Sequence, residues 1–321
     1  VDIVPVTPVF EQAWLDAFPV GLGFSNLGAF PGADGAEVRL VNVEYAWDAE
    51  HEDIGPVTRL RGEPETLYAF HGTAVLGVLL ALLNDYGVQG GAPAAEVMVA
   101  HPDTLVDGLL EYDVALAIYE ALAVLQPGDV ILVEQQVYGP DGEFLPVSWD
   151  EAVRDVVEAA TEQGVVGVVP SANGGVDLDD PTYGGVFDLD VGAIVVGGGF
   201  PPSYGEPRAW AGSDYGGGVH LQAWFTDIVT LGGSPYTDLY FPRGDERQAY
   251  TSVFGGTSGA SALVAAMAAV VQSARIAARG APLAPRELRA LLVTTAVAQV
   301  GAEWVGPQPD LRRALRVSAI P

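Results

Sequence analysis

Two short stretches of the chain carry residue types suited to nucleophilic chemistry. Gly255-Gly256-Thr257-Ser258-Gly259-Ala260-Ser261 leads directly into small residues, 262–278, that read as a helix. Ser258 then lies where a loop becomes a helix. Free backbone amides and the positive end of the helix dipole converge there on any oxygen that becomes anionic. Taken alone, a serine in that setting is more often a plain N-cap. Phe70-His71-Gly72-Thr73 opens a second, apolar helix, and the glycine after the histidine permits close approach of a neighbouring element. Of the four histidines, His51, His71, His101 and His220, only His71 has this context. The sequence contains no cysteine, which excludes a thiol nucleophile and a thiolate metal site.

The elements that must hold these residues alternate along the chain. Residues 38–43 read as a strand, 71–86 as a helix stopping at Gly87, 96–100 as a strand, and 107–125 as a helix stopping at Pro127-Gly128. Residues 129–133 form an apolar strand. Ser148 opens a helix capped by Asp150-Glu151 and closed by Gly164, and 165–169 and 192–196 are further strands before the long helix 257–278. Continuous Val/Ile/Leu strands separated by helices of this length predict an α/β fold, a mostly parallel sheet covered on both faces. The 321 residues, 49% hydrophobic, suffice for a large core. Residues 1–37, rich in Pro, Gly and aromatics and without a sustained period, read as an N-terminal arm packed on one domain, 38–321. No uninterrupted run of eighteen apolar residues occurs, so no membrane span is expected.

The His-Gly-Thr and Gly-Thr-Ser-x-Ala-Ser helix starts, in that order, resemble the subtilisin-like serine peptidases. The similarity extends over nearly the whole chain from Val38 and includes closing segments at 285–289 and 309–315. The resemblance implies the three-layer subtilisin-like fold, with Ser258 as nucleophile and His71 as general base. Pro170-Ser171-Ala172-Asn173-Gly174-Gly175 is similar to the family's Ala-Gly-Asn-x-Gly turn, so Asn173 inherits the side-chain donor of the oxyanion hole. The triad acid departs from the family pattern of a strand ending in Asp-Thr/Ser-Gly followed by His-x-Asp-Leu. Matching His51-Glu52-Asp53-Ile54 to the latter puts Glu44 at the aspartate position. A glutamate can orient the imidazole and stabilise the imidazolium, given a small backbone shift for its extra methylene. Asp48, in the loop beyond the strand, and the absence of any functional acid are the alternatives.

The chemistry implied is acyl transfer, with His71 relaying the proton of Ser258 to the leaving amine and water resolving the acyl-enzyme. It requires no cofactor. Structural calcium is common in the family, but none of its ligand segments is recognisable here. Where relatives carry a segment resembling Ser-Leu-Gly-Gly to pair with the peptide, this chain has Val133-Glu134-Gln135-Gln136-Val137, so Glu134, Gln135 and Gln136 are the expected substrate-binding residues of a narrower or differently shaped, selective pocket. The acidic stretch Asp177, Asp179, Asp180, Asp188 and Asp190 reads as a solvated loop, a calcium site or an attractor for a basic substrate residue. A formal charge of −28, with arginine as the only strongly basic residue type, argues against nucleic acid or anionic membranes as partners. A polypeptide substrate is expected. The acidity, the family and a start at Val1 rather than methionine together suggest a secreted protein whose leader, with a pro-segment, has been removed. The rival reading is a peptide-binding module that keeps the fold and has lost turnover.

Overall fold

Leu40 and Val41 are neighbours on one strand yet belong to two different cores, because successive strand side chains point to opposite faces of the sheet. The computed structural model describes residues 6–318, apart from 63, 65 and 108. In chain order its elements are β1 (Arg39–Val43), β2 (Thr58–Arg61), α1 (Ala69–Leu80), β3 (Glu96–Ala100), β4 (Asp103–Val106), β5 (Leu109–Tyr112), α2 (Val114–Leu122), β6 (Val130–Val133), β7 (Gln136–Tyr138) and β8 (Phe144–Pro146). There follow α3 (Glu151–Gln163), β9 (Val166–Pro170), β10 (Ile194–Gly199), β11 (Leu221–Trp224), β12 (Ile228–Leu231), β13 (Tyr250–Phe254), α4 (Gly256–Arg279), α5 (Pro285–Thr295) and α6 (Leu311–Ser318).

Seven strands form one sheet in the order β11-β10-β9-β6-β1-β3-β2, and every neighbouring pair is parallel. Leu40, Val97, Val130 and Val168 turn to one face, against α1 and α4; Val41, Met98, Ile131 and Val169 turn to the other, against α2 and α3. This is the three-layer subtilisin-like arrangement. α4 is long and apolar enough by composition to cross a membrane, but 83% of its most apolar window is buried in the first core. Residues 6–37 contribute to that same core. Trp14 is fully buried, packs edge-on to Phe24 at 5.5 Å between ring centroids and donates its indole N–H to Val229 O.

The structure corrects two element boundaries. The helix expected over 71–86 ends at Leu80, because Leu82 N pairs with Asp53 O and Asn84 closes a local turn, accepting from Tyr86 N and donating to Asp53. The helix expected from 107 begins at Val114, capped by the Asp113 side chain. Before it, β4 and β5 form a hairpin with Asp107 at φ 51° near its tip; an Asp-Gly pair between short apolar runs favours such a turn. α3 follows its signals: the Asp150 side chain accepts from Ala152 N and Val153 N, and Gly164 closes the helix at φ 88°.

Candidate active site

β1, β6 and β9 end on the same edge of the parallel sheet, and the residues just beyond them face the starts of α1 and α4. Crevices at the carboxyl ends of parallel strands are where α/β folds place their sites. Glu44 directly follows β1; its N–H bonds Ala100 O, and its side chain is fully buried. Its Oε2 lies 2.8 Å from His71 Nδ1, and its Oε1 accepts from Tyr45 N at 2.8 Å. The longer acid fits because Gly72 has no side chain. A Cβ there would lie 2.6 Å from Glu44 Cγ and 2.0 Å from Ala46 O. Asp48 is engaged elsewhere, its carboxylate accepting from Glu50 N while its own N–H bonds Thr73 Oγ1. His51 and Asp53 pin the loop after β1: His51 Nε2 bonds Ala249 O, and Asp53 accepts from Asn84 and Val88 N.

His71 sits in the first turn of α1 with its ring edge-on to Phe254. Burial pushes its pKa down, but the charge of Glu44, the hydrogen bond between them and the charge of Glu134 outweigh burial and raise it to about 9. Ser258 occupies the first turn of α4. Gly255 and Gly256 bring the chain hard against Phe225: a Cβ on Gly255 would lie 1.7 Å from Phe225 O, and Gly256 N donates to that same oxygen. No hydrogen bond joins His71 to Ser258 here. Such contacts commonly tighten only when substrate is bound.

Asn173 lies three residues beyond β9. Its side-chain oxygen accepts from Thr257 N and Thr257 Oγ1, both at 3.0 Å, which fixes the amide so that Nδ2 points into the cleft. The backbone strain of this turn falls on Ala172, buried at φ 77°, where the family motif has glycine. The Asp214 carboxylate ties the turn down by accepting from Gly174 N and Val176 N.

The three residues expected to bind substrate have separate fates. Glu134 is buried and accepts from the Ser261 hydroxyl at 2.9 Å. Gln135 is buried and accepts from the Tyr112 hydroxyl at 2.5 Å. Gln136 opens β7, which pairs with β8, and its Oε1 lies 3.2 Å from both Asn173 Nδ2 and Asn173 N. It thus occupies the Asn173 amide that the resemblance assigned to an oxyanion. Together with Tyr45, Tyr68, Tyr138 and Phe144 these residues line a cleft of about 410 Å³ that includes His71 and Ser258. The aromatic lining and Ser261 were not singled out from sequence. Only the serine left a local signal, one helical turn beyond Ser258.

In the acidic stretch 177–190, Asp177 and Asp180 bond amides two residues on, whereas Asp179 and Asp190 reach distant segments. Asp179 accepts from Gly217 N, Asp180 caps Thr182, and Asp190 binds Arg286 and Arg289, which holds its carboxyl well below the usual range. Among the described residues no group of three or more His, Asp or Glu side chains could hold a metal ion.

The sequence model of the subtilase family (Peptidase_S8) matches residues 43–313. Among curated protein sequences none matches. The fold is similar to the solved structure of the prenylagaramide maturation protease PagA (19% identity, 91% of this chain and 98% of that one, TM-score 0.65). It is also similar to the patellamide maturation protease PatA (19%, 88% and 97%, TM-score 0.63). A cold-adapted subtilisin-like serine proteinase matches at 16% identity over 86% of this chain and 88% of that one, with a TM-score of 0.59.

Proposed function

Since the chain belongs to the subtilase family, we propose that it is a serine endopeptidase acting through an acyl-enzyme on Ser258. The observation that carries this reading is the 2.8 Å contact between His71 Nδ1 and the fully buried Glu44 carboxylate, opposite the helix start that bears Ser258. Glu44 orients the ring and compensates its positive charge. Nε2, the other ring nitrogen, is then the base that takes the Ser258 proton as Oγ attacks a peptide carbonyl. The oxyanion is received by the Ser258 N–H and Asn173 Nδ2 once Gln136 has moved aside. His71 then protonates the leaving amine, and water releases the acyl group.

Cleavage is selective on this proposal. Gln136 stands where relatives have glycine, and its side chain projects at the oxyanion donor, so a substrate must displace it. Two of the proteins with this fold, PagA and PatA, are named as maturation proteases, a role that fits a narrowed cleft better than broad digestion does. The same Gln136 contact favours a second reading, a peptide-binding module without turnover. We also place the protein outside the cell, on family and acidity; finding it confined to the cell fraction would contradict that. A fluorophosphonate probe separates the two functional readings. Labelling of wild type at Ser258, abolished by Ser258→Ala, is expected of the peptidase, and an unlabelled wild type refutes it.

A further inference from the structure

The cleft holds a carboxyl group that the acyl-transfer scheme does not use. Glu134 follows β6, and its N–H bonds Val43 O, which sets it beside Glu44 at the end of β1. Its side chain is only 3% exposed. Oε1 accepts from Ser261 Oγ, one turn beyond Ser258, whereas Oε2 is buried without a hydrogen-bond partner. The Ser258 hydroxyl is close enough to lower the pKa of the carboxyl, though it makes no hydrogen bond of normal geometry to it. The titratable groups facing Glu134 are His71 from α1 and Glu44 from β1, with the Ser258 and Ser261 hydroxyls from α4. Two buried acids therefore act on one imidazole, which itself opens onto the cleft.

We propose that Glu134, which lines the same cleft as His71, is a positioning residue of the active site whose charge is coupled to that of His71 and so sets the pH at which His71 can act as base. The inference rests on the peptidase reading of the site. Burial pushes the Glu134 carboxyl up to about 8, against the lowering pull of His71. When Glu134 loses its proton, its negative charge stabilises the imidazolium, and the base form of His71 appears only at higher pH. When Glu134 keeps its proton, that extra hold is gone and His71 releases its own more readily. The two groups titrate as a coupled pair rather than singly.

The test is a histidine-ring NMR titration of the full chain, with the rate of fluorophosphonate labelling followed over the same pH range. Wild-type His71 is expected to titrate over more than a single-proton curve. In Glu134→Gln, which keeps an acceptor for Ser261, it should follow one proton with its midpoint lower by about one pH unit or more. The acid limb of the labelling profile should move down with it. Ser261→Ala provides a second variant should the first not fold: losing its donor raises the Glu134 pKa, and the His71 midpoint should again fall, by less. An unchanged His71 midpoint in whichever variants fold overturns the proposal, even if activity drops, since a merely structural Glu134 would lower rates at every pH alike. The NMR readout does not require turnover. An inert wild type with coupled titration would therefore refute the peptidase reading while leaving the electrostatic coupling standing.

Discussion

Replacing Glu44 by glutamine removes the charge from a fully buried carboxyl and leaves its shape almost intact. The structure sets the scale of the loss. His71 is held at about 9 against an ordinary 6.5, a net hold of about 3 kcal/mol at about 1.4 kcal/mol per pH unit. Because burial opposes that hold, the carboxylate itself contributes more than the net figure. The imidazolium formed as Ser258 attacks loses at least this much, so labelling by a fluorophosphonate should slow by on the order of a hundredfold or more. Glu44→Asp should also be slow. It shortens the arm by about 1.5 Å, while Ala46 and Gly72 hold the backbone where the glutamate needs it. Pseudo-first-order labelling rates of purified variants, with thermal melts to confirm folding, give both numbers. A Glu44→Gln rate within tenfold of wild type refutes Glu44 as the triad acid, and a faster Glu44→Asp would mean that the glutamate impairs an aspartate-adapted site.

Three further outcomes follow from the same geometry. Gln136→Ala frees Asn173 Nδ2 and widens the cleft, so labelling should speed up several-fold and a mixed peptide library should be cut at more sites; unchanged rate and selectivity would remove Gln136 from the gate. Gly72→Ala forces a methyl against Ala46 O and Glu44 Cγ, which should cost roughly 2 kcal/mol or more in a denaturant melt together with most of the activity, and a variant as stable and active as wild type contradicts that packing. Stability should fall as pH rises from 6.5 to 9. Burial lifts Asp214 to about 7 and Glu134 to about 8, so the folded chain holds protons there that the unfolded chain has released, and the stabilising charge on His71 is lost through about 9. His51, His101 and His220, pushed down by burial, act in the opposite direction, but below about 6.5. A Tm that rises between pH 6.5 and 9 would show the sign to be wrong.

The residues most legible in the sequence are those whose setting is local. Ser258 and His71 each sit in the first turn of a helix that their neighbours announce, and the β1 strand and the capped α3 helix follow from period and capping. Glu44 was reached by register alone, yet it meets His71 because β1 and α1 are brought together by the sheet. Long-range contacts left no such trace. Nothing in Glu134-Gln135-Gln136 says that the first two turn inward to Ser261 and Tyr112 while the third crosses to Asn173, since those partners lie far away along the chain. The start of the helix expected over 107–125 differs for another reason: the apolar residues of 109–112 fit a helical period as well as an alternating one, and it is their pairing with 103–106 that makes them a strand.

Trp14 and Phe24 have a consequence for where this protein can be cut. The family match starts at residue 43, but the first core already includes Trp14, Leu22, Phe24 and Phe30, and the indole of Trp14 is tied to β12. A fragment starting at Val38 would keep every residue assigned to the chemistry and lose the wall behind it. α1 and α4, whose first turns present His71 and Ser258, would then rest against a hollow the size of several aromatic side chains. The evolutionary module and the physical unit thus have different edges, and a truncated protein would owe any loss of activity to its missing buttress rather than to its site.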